Sequence, residues 1–323
     1  MSSPSRRAIL GTATTAAIAT RANAQPAWPT RTIRLVVAWA PGGSIDTIAR
    51  RLAQSLTGQL GQSVVVENRS GATGTIGATE VARAAPDGYT LLALDSTYGM
   101  MPFLFTRLPF NHADALVPIT ITAFTPVMLA VHRTSPYQTL QHLIDAARAA
   151  PERITYGSGG VGSAVHFATA AFELAAGIRL YHVPYRGGGE AVRGVVANQV
   201  DLVMASPGSA TSGSSDYLRP LAITGTSRVA ALPDCPTFAE AGLPGYGVTH
   251  WSGLGAPRGT PEAIIARLHA ETARALDTPD MKAFLATIAS PPGGLPPAEV
   301  ARLLASETER WREVVQAAGI RPQ

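Results

Sequence analysis

The 323-residue sequence contains one cysteine and one lysine, and both scarcities exclude classes of site. The single cysteine, Cys235, rules out an intramolecular disulfide framework and a cysteine-rich metal site, so we interpret it as a small packing residue. The single lysine, Lys282, falls in a C-terminal helical pattern, which excludes a phosphate-binding P-loop. The chain also lacks a Gly-x-Ser-x-Gly elbow and a His-Glu-x-x-His motif. These absences predict a protein with no catalytic residue, no metal and no cofactor.

Long apolar runs are missing as well. No run after residue 24 approaches the roughly 20 residues of a membrane-spanning helix. The first 24 residues are typical of an export signal, because Arg6 and Arg7 precede a mild apolar run that ends in Ala22-Asn23-Ala24. The alternative is a basic N-terminus that is merely rich in alanine. The arginine pair favours the twin-arginine route, although Ile9 stands where phenylalanine is commoner. We predict a signal peptide over 1–24 and a periplasmic protein.

The formal charge of +4 does not indicate a nucleic-acid partner. Removing 1–24 removes three arginines and no acid, so the net charge falls from +4 to +1 (4 − 3 = 1). There is no cluster of basic residues with interleaved aromatic residues. A hydrophobic fraction of 46% and a charged fraction of 15% are typical of a globular chain, here long enough for two domains.

Strand and helix patterns alternate in two successive units. The first unit has strands at 32–39, 64–66 and 89–94 and a helix at 46–60, and the second has strands at 127–131, 154–156, 180–183 and 201–205 and helices at 140–147, 163–176 and 191–196. The first helix carries Ile48, Leu52, Leu56 and Leu60 on one stripe, which should face a core. The alternation predicts mainly parallel sheets flanked by helices, and two units in series predict two lobes.

The C-terminal part shows no new set of strands. From Pro261 the pattern indicates two helices, which must cover a sheet already built. We infer that the chain returns to the first lobe near His250. Lobe 1 then comprises 25–126 and 250–323, and lobe 2 comprises 127–249. Two crossovers between lobes would form a hinge, a common device for closure around a ligand.

A glycine-rich turn joins strand to helix in each unit. The first contains Pro41, Gly42, Gly43 and Ser44, followed by Asp46. Its glycines let the backbone approach a ligand, and the helix start supplies unpaired N–H groups and the positive end of a dipole. The alternative is a tight turn in which Ser44 or Asp46 only caps the helix. The turn alone does not decide between them.

The second turn contains a Gly-x-Gly-x-x-Gly pattern at Gly157, Gly159 and Gly162. A dinucleotide fold would place an acidic residue at the end of the next strand, which instead ends in His-Val-Pro. A nicotinamide-dependent oxidoreductase is therefore the weaker alternative. The same turn presents backbone N–H groups and the hydroxyls of Ser158 and Ser163.

The two turns contain no basic residue, and this suggests how charge is recognised. His166 fits a capping or core position, and Arg186 fits either a surface or a cleft position. We predict that helix termini and N–H groups, rather than an arginine clamp, hold a ligand carboxylate. Valine at Gly43 or Gly159 should then block binding. Arg186→Ala should weaken binding less than about tenfold.

Eight segments carry a family resemblance, each weak alone but specific as an ordered set. They are RLVVAWAPGGSID at 34–46, VVENR at 65–69, APDGY at 85–89, YGSGGVG at 156–162 with His166, HVPYRG at 182–187, QVDL at 199–202, PTFAEAG at 236–242 and WSGLGAP at 251–257. Through them the chain resembles the Bug-type periplasmic receptors of tripartite tricarboxylate transporters over nearly all of its mature part.

The resemblance implies a two-lobed periplasmic-binding-protein fold of the second type, in the α/β class, that closes on its ligand like a Venus flytrap. It implies that the turns at Gly42-Gly43 and Ser158-Gly159 hold a carboxylate through backbone amides and ordered water. Loops near Thr97, Tyr185 and Ser206 would set the identity of the ligand. The segment 206–216 departs from the family pattern, because serine and glycine replace a hydrophobic helix. The resemblance therefore does not predict how residues 206–216 shape that edge of the pocket, or how large a ligand fits there.

We therefore predict a monomeric periplasmic protein that captures a small organic acid and delivers it to the membrane subunits of a transporter. The candidate ligand-binding residues are Pro41, Gly42, Gly43, Ser44, Asp46, Thr97, Ser158, Gly159, Gly162, Ser163, Tyr185 and Ser206. The alternative is a sensory receptor of the same fold that signals to a membrane protein. Both functions use ligand-driven closure, so the sequence does not separate them.

Overall fold

The computed structural model describes residues 28–208 and 216–322, which form two five-stranded sheets with helices packed against them. The strands are β1 (Ile33–Val37), β2 (Val64–Asn68), β3 (Thr90–Asp95), β4 (Leu116–Pro126), β5 (Met128–His132), β6 (Thr155–Ser158), β7 (Tyr181–Pro184), β8 (Leu202–Ala205), β9 (Leu218–Ile223) and β10 (Thr249–Pro257). The helices are α1 (Ser44–Leu60), α2 (Thr75–Ala82), α3 (Thr97–Leu104), α4 (Leu140–Ala149), α5 (Ala164–Ala176), α6 (Gly188–Val196), α7 (Glu262–Asp277), α8 (Pro279–Thr287) and α9 (Pro297–Ala318). The predicted signal peptide lies outside the described residues.

Each sheet has four strands in one direction and one strand against them. The first sheet has the order β2-β1-β3-β10-β4, in which β10 is antiparallel to both neighbours. The second has the order β7-β6-β8-β5-β9, in which β5 is antiparallel to both neighbours. The opposing strand is in each case the one that enters from the other sheet. The predicted class, two mainly parallel sheets flanked by helices, is confirmed.

The two crossovers between the sheets lie side by side. The chain leaves the first sheet at Val127, the one residue between β4 and β5, and returns at Thr249, which starts β10 and pairs with Pro126. Val127 is also bonded to Thr224, which directly follows β9: the Val127 N–H donates to Thr224 Oγ1 (2.8 Å), and the Thr224 N–H donates to the Val127 carbonyl (2.9 Å). This pair ties the first crossover to the end of β9 in the second sheet.

Helix α1 shows how local sequence places a turn at the sheet edge. The predicted stripe of Ile48, Leu52, Leu56 and Leu60 is confirmed, since each of these side chains is at most 8% exposed. Burying such a side chain contributes about 1.5–3 kcal/mol. The helix ends at Gly61, whose φ of 67° suits a left-handed cap. Packing of this stripe against the first sheet points the N-terminus of α1 at the second.

The C-terminal part contains three helices, so the prediction of two was wrong. The Thr278 hydroxyl accepts a hydrogen bond from the Met281 N–H, and Pro279 occupies the first turn of α8, which starts a new helix directly after α7. The last helix, α9, contacts both halves of the molecule. Its Val300 packs in the core cluster of the first sheet, whereas its Trp311 ring meets Phe167 of α5, with ring centroids 5.5 Å apart. None of the helices in the described ranges combines the length and hydropathy needed to cross a membrane.

Candidate ligand-binding cleft

A cavity of about 400 Å³ lies between the two sheets, beside the crossovers. Its polar lining comprises Ser44, Asp95, Ser96, Thr97, Thr125, Ser163, Arg186, Ser206, His250 and Ser252, together with the backbone of Gly159 and Gly187–Gly189. Its apolar lining includes Trp39, Ile45, Ile48, Val165, Val192 and Met204. Both sheets therefore contribute to one enclosed, mixed surface, which is typical of a small-molecule site.

A second cavity, of about 610 Å³, lies behind the crossovers but offers no free charge. Its two cationic residues are already paired, Arg228 with Glu240 (3.0 Å) and Lys282 with Asp277 (2.6 Å). The cleft is smaller, yet it is where unpaired donors meet. We therefore take the cleft as the candidate site.

Four of the nine helices named above begin at the cleft. Ser44 and Ile45 open α1, Thr97 opens α3, Ala164 and Val165 open α5, and Gly188 and Gly189 open α6. The N–H groups of the first two residues of α1, α5 and α6 find no acceptor among the residues that the structure describes, whereas the third N–H is bonded in α5 (His166 to Ser163 Oγ) and in α6 (Glu190 to the Gly187 carbonyl). Each helix adds the positive end of its dipole to these donors. These donors and dipoles, most of which belong to the backbone, suit an anion.

The turn before α1 is held by a buried carboxylate. Gly42 has a φ of 87°, which a side chain would disfavour, and its N–H donates to Asp46 Oδ2 (2.9 Å). The Asp46 oxygens also accept from Arg50 (3.0 Å) and from Asn68 Nδ2 (2.8 Å). Burial disfavours the ionised form of Asp46, but the hydrogen bonds from Arg50, Gly42 and Asn68 outweigh it and lower the pKa. An ionised Asp46 thus anchors the turn.

The turn before α5 is held by neutral groups. Ser158 Oγ accepts from the Gly160 N–H (3.1 Å) and lies 2.6 Å from His182 Nε2. His166 Nδ1 accepts from the Gly162 N–H (3.0 Å), which requires this nitrogen to be unprotonated. The rings of His166 and His182 stack with centroids 4.3 Å apart. Burial, with a smaller effect of the neighbouring His182, lowers the pKa of His166 to about 4. His166 therefore has the capping and core position that the sequence indicated.

The structure brings together five of the twelve sequence-predicted residues in the cleft lining. These are Ser44, Thr97, Gly159, Ser163 and Ser206. They come from four regions far apart in the chain, and each lies at or next to the first turn of a helix or just after a strand. This pattern follows from the rule that ligands bind at the carboxyl ends of strands in open α/β sheets.

The other seven predicted residues lie outside the lining. They are Pro41, Gly42, Gly43, Asp46, Ser158, Gly162 and Tyr185. Asp46, Ser158 and Gly162 are engaged in the hydrogen bonds that shape the two turns. Pro41, Gly42 and Gly43 are exposed. The Tyr185 ring lies against α6, where its hydroxyl approaches Gln199 Oε1 (3.5 Å).

Several lining residues escaped sequence reasoning. Asp95 ends a buried strand, and this position was a usable signal, because side chains at the carboxyl ends of parallel strands meet at the sheet edge. Gly187–Gly189 formed a second signal, a glycine run before a helix. His250 carried no local signal, since only the pairing of β10 with β4 brings it to the cleft.

Among the described residues, Asp95 is the one acidic residue in the cavity lining. Its Oδ2 accepts from Trp39 Nε1 (2.5 Å), and its Oδ1 accepts from the Thr97 N–H (2.7 Å). Burial raises the pKa of Asp95, and the hydrogen bonds from Trp39 and Thr97 oppose that rise. Burial also lowers the pKa of His250 to about 4, so this imidazole is neutral near pH 7. Arg186 has an exposed side chain and carries the lining's permanent positive charge.

The chain matches the sequence profile of the tripartite tricarboxylate transporter family receptor, TctC, over residues 48–320. It belongs to this family. The resemblance drawn from the eight segments is thereby confirmed, and the chain is a solute-binding receptor and not an enzyme.

Solved structures of similar proteins agree with this fold. Rpa4515 of Rhodopseudomonas palustris, in a structure with adipate, is 34% identical, with a TM-score of 0.82 over 92% of this chain and 100% of that one. MatC of the same organism, with bound malate, is 33% identical, with a TM-score of 0.77 over 89% and 100%. The periplasmic binding protein BugD is 30% identical, with a TM-score of 0.79 over 92% and 100%. Receptors of the TctC family are periplasmic.

Proposed function

We propose that this TctC-family receptor captures a small organic acid in the cleft between its two lobes and delivers it to the membrane subunits of a tripartite tricarboxylate-type transporter. The observation that carries the proposal is the convergence of four helix N-termini on one cavity. Burying a carboxylate is costly unless several donors are supplied. The unpaired N–H groups of the first two residues of α1, α5 and α6 supply them, each charge-assisted bond contributing about 1.5–3 kcal/mol.

The size of the cleft and the ligands of similar proteins support this class of ligand. A volume of about 400 Å³ suits a molecule of a few to a dozen heavy atoms. Rpa4515 and MatC, each about one-third identical to this chain, are known in structures with adipate and malate. Both ligands are small carboxylates, and their chemistry matches a cleft ringed by N–H donors.

A thermal-shift screen of the mature protein tests the proposal. Mono-, di- and tricarboxylates and aromatic acids are each compared with the corresponding uncharged amide, for example succinate with succinamide. A ligand at 100 times its Kd should stabilise the folded state by about 2.7 kcal/mol and raise the melting temperature. We expect at least one acid to do so and its amide not to. Folded protein that responds to no acid in the panel would contradict the proposal.

Delivery to a transporter needs a separate test. A strain that lacks the gene should lose uptake of the identified acid when it is supplied at low concentration, and the wild-type gene should restore uptake. If uptake is unchanged and a transcriptional response to the acid is lost instead, the sensory alternative holds.

Closure and export are further parts of the proposal. We propose lobes divided near residues 126/127 and 249/250, with the two adjacent crossovers, where Pro126 pairs with Thr249, as the hinge. The radius of gyration from X-ray scattering should fall when the acid binds a monomer.

We also propose cleavage after Ala24, so mass spectrometry of the periplasmic protein should show Gln25 at its N-terminus. Replacing Arg6 and Arg7 by lysine tests the twin-arginine route, because export by that route should fail.

A further inference from the structure

One residue of the cleft has the wrong sign for a simple anion site. Asp95 lines a cavity whose other polar walls are helix starts, hydroxyls, an arginine and the imidazole of His250. Only 7% of its surface is exposed, and it stands directly before α3 at the end of β3. Among the described residues no cationic side chain forms an ion pair with it. The Asp95 carboxyl group therefore borders the cavity without an ion-pair partner among the described residues.

Both Asp95 oxygens are already oriented by the protein. Trp39 Nε1 donates to Oδ2 and the Thr97 N–H donates to Oδ1, so the carboxylate plane is fixed by one contact on each oxygen. Each oxygen can accept more than one hydrogen bond, which leaves acceptor capacity on both. The Thr97 N–H also belongs to the first turn of α3, where the helix dipole favours a negative charge. The protein thus fixes the orientation of the Asp95 carboxyl group and leaves it able to accept a hydrogen bond from a donor on the ligand.

A plain carboxylate ligand conflicts with this arrangement. Two carboxylates in a poorly hydrated cleft repel each other, and neither gains a hydrogen bond from the other while both are ionised. The conflict disappears when the ligand presents a hydroxyl or ammonium group to Asp95 while its carboxylate lies against the N–H groups of α1, α5 and α6. It also disappears when Asp95 takes up a proton on binding. The two solutions differ in the ligand they select.

We propose that Asp95 is a specificity-determining residue that makes the cleft select organic acids with a hydrogen-bond donor, a hydroxyl or an ammonium group, close to the carboxylate. The inference rests on the proposed function and narrows its class of ligand. The donor hydrogen bonds to Asp95, and the acid's carboxylate occupies the ring of helix starts. A site with a buried polar group discriminates strongly against an analogue that leaves that group unpaired.

Matched sets of acids test the inference. Each set contains a plain acid, its hydroxy acid and its amino acid, and calorimetry measures the affinity of each member. The three sets are succinate, malate and aspartate; adipate, 2-hydroxyadipate and 2-aminoadipate; and butyrate, 2-hydroxybutyrate and 2-aminobutyrate. Within the set that fits the cleft, we expect a donor-bearing acid to bind at least about tenfold more tightly than the plain acid. Repeating the titration in two buffers of different ionisation enthalpy should show no net proton uptake. A plain acid that binds as tightly as its donor-bearing partners, with or without proton uptake, would overturn the inference while leaving the proposed function intact.

Variants separate the charge of Asp95 from its place in the fold. Asp95→Asn should reduce the preference for the donor-bearing acid over the plain acid of the same set to about threefold or less. The change should come chiefly from tighter binding of the plain acid. The NH2 group of the new asparagine can face the Trp39 N–H, which would place two donors against each other. The double variant Asp95→Asn with Trp39→Phe removes that conflict, and the single variant Trp39→Phe is its control. An unchanged preference in the folded double variant would overturn the inference. Failure of every acid to bind the wild-type protein would overturn the proposed function and this inference together.

Discussion

The turn before α1 is held by an ionised carboxylate, whereas the turn before α5 is held by imidazoles and hydroxyls without charge. Asp46 gathers three donors at a site that is 2% exposed. His166 and His182 instead form a stack beside Ser158 and Gly162. Similar glycine-rich sequences thus reach similar geometry through different chemistry. The difference teaches that the two sides of the cleft should fail under different perturbations.

The largest effect is expected from the charged anchor. Asp46→Ala leaves the Gly42 N–H and the Asn68 amide without their acceptor and should lower the free energy of unfolding by about 3–5 kcal/mol. Urea denaturation measures it. Asp280→Ala is the matched control, because Asp280 pairs with Arg51 at the surface and is 77% exposed. The control should change stability far less. Equal losses in the two variants would show that Asp46 is not an anchor.

The neutral anchor should respond to acid. The pKa of His166, about 4, lies below the value of about 6.5 in an unfolded chain, so between these values only the unfolded chain binds the proton. The stability that neutral His166 contributes is complete above pH about 6.5 and is lost as the pH falls towards 4. Asp46, whose pKa is lowered, keeps its contribution across this window. The second anchor should therefore weaken first.

A variant that lacks only the His166 imidazole isolates this effect. Between pH 7 and pH 4 the wild-type protein should lose about 3 kcal/mol more stability than His166→Gln. Other titrating groups, including His250 and the buried glutamates, are common to both proteins and cancel in the comparison. Parallel pH profiles from chemical denaturation would mean that His166 is not the acid-sensitive group.

The third effect concerns the glycines of the two turns. A Cβ at Gly159 would lie 3.1 Å from the Gly188 nitrogen, so Gly159→Val must separate the turn from the start of α6. We expect affinity for the cognate acid to fall at least about a hundredfold. A Cβ at Gly43 would meet nothing nearer than 3.8 Å, and its φ of −72° suits any residue. The sequence led us to expect that Gly43→Val blocks binding. With this geometry we instead expect Gly43→Val to reduce affinity by less than about tenfold. Similar losses at both positions in calorimetry would contradict this asymmetry.

The smallest effect is expected from the arginine of the cleft. Arg186→Ala should weaken binding by less than about tenfold, or 1.4 kcal/mol, because the helix starts supply the donors to the carboxylate. Arg193→Ala is the control, because Arg193 lies on α6, the helix that follows Arg186, but outside the lining. A hundredfold loss in the Arg186 variant alone would show an arginine clamp and refute the backbone mechanism.

Sequence periodicity predicted the elements whose burial pattern is local. The stripe of α1 and the strand–turn–helix units around Gly42 and Gly159 were visible because hydrophobic spacing and glycine act over a few residues. β4 and β10 were missed as strands. β4 contains Pro118 and Pro126, which interrupt a strand pattern, and β10 contains Gly253 and Gly255, which weaken one. Their pairing with each other stabilises both, and no local pattern shows a pairing between residues more than 100 apart.

The sequence by itself determined the α/β class, the family and the two turns that open α1 and α5, because these depend on short-range spacing and ordered motifs. The tertiary structure alone decided which residues face the ligand. Asp46 and Ser158 turn away to hold the backbone, whereas Asp95 and His250 reach the cleft from strands that the sequence places far apart. The physical reason is that a hydrogen-bonding side chain takes the partner that folding brings nearest. Its role as anchor or ligand contact follows from packing, not from its motif.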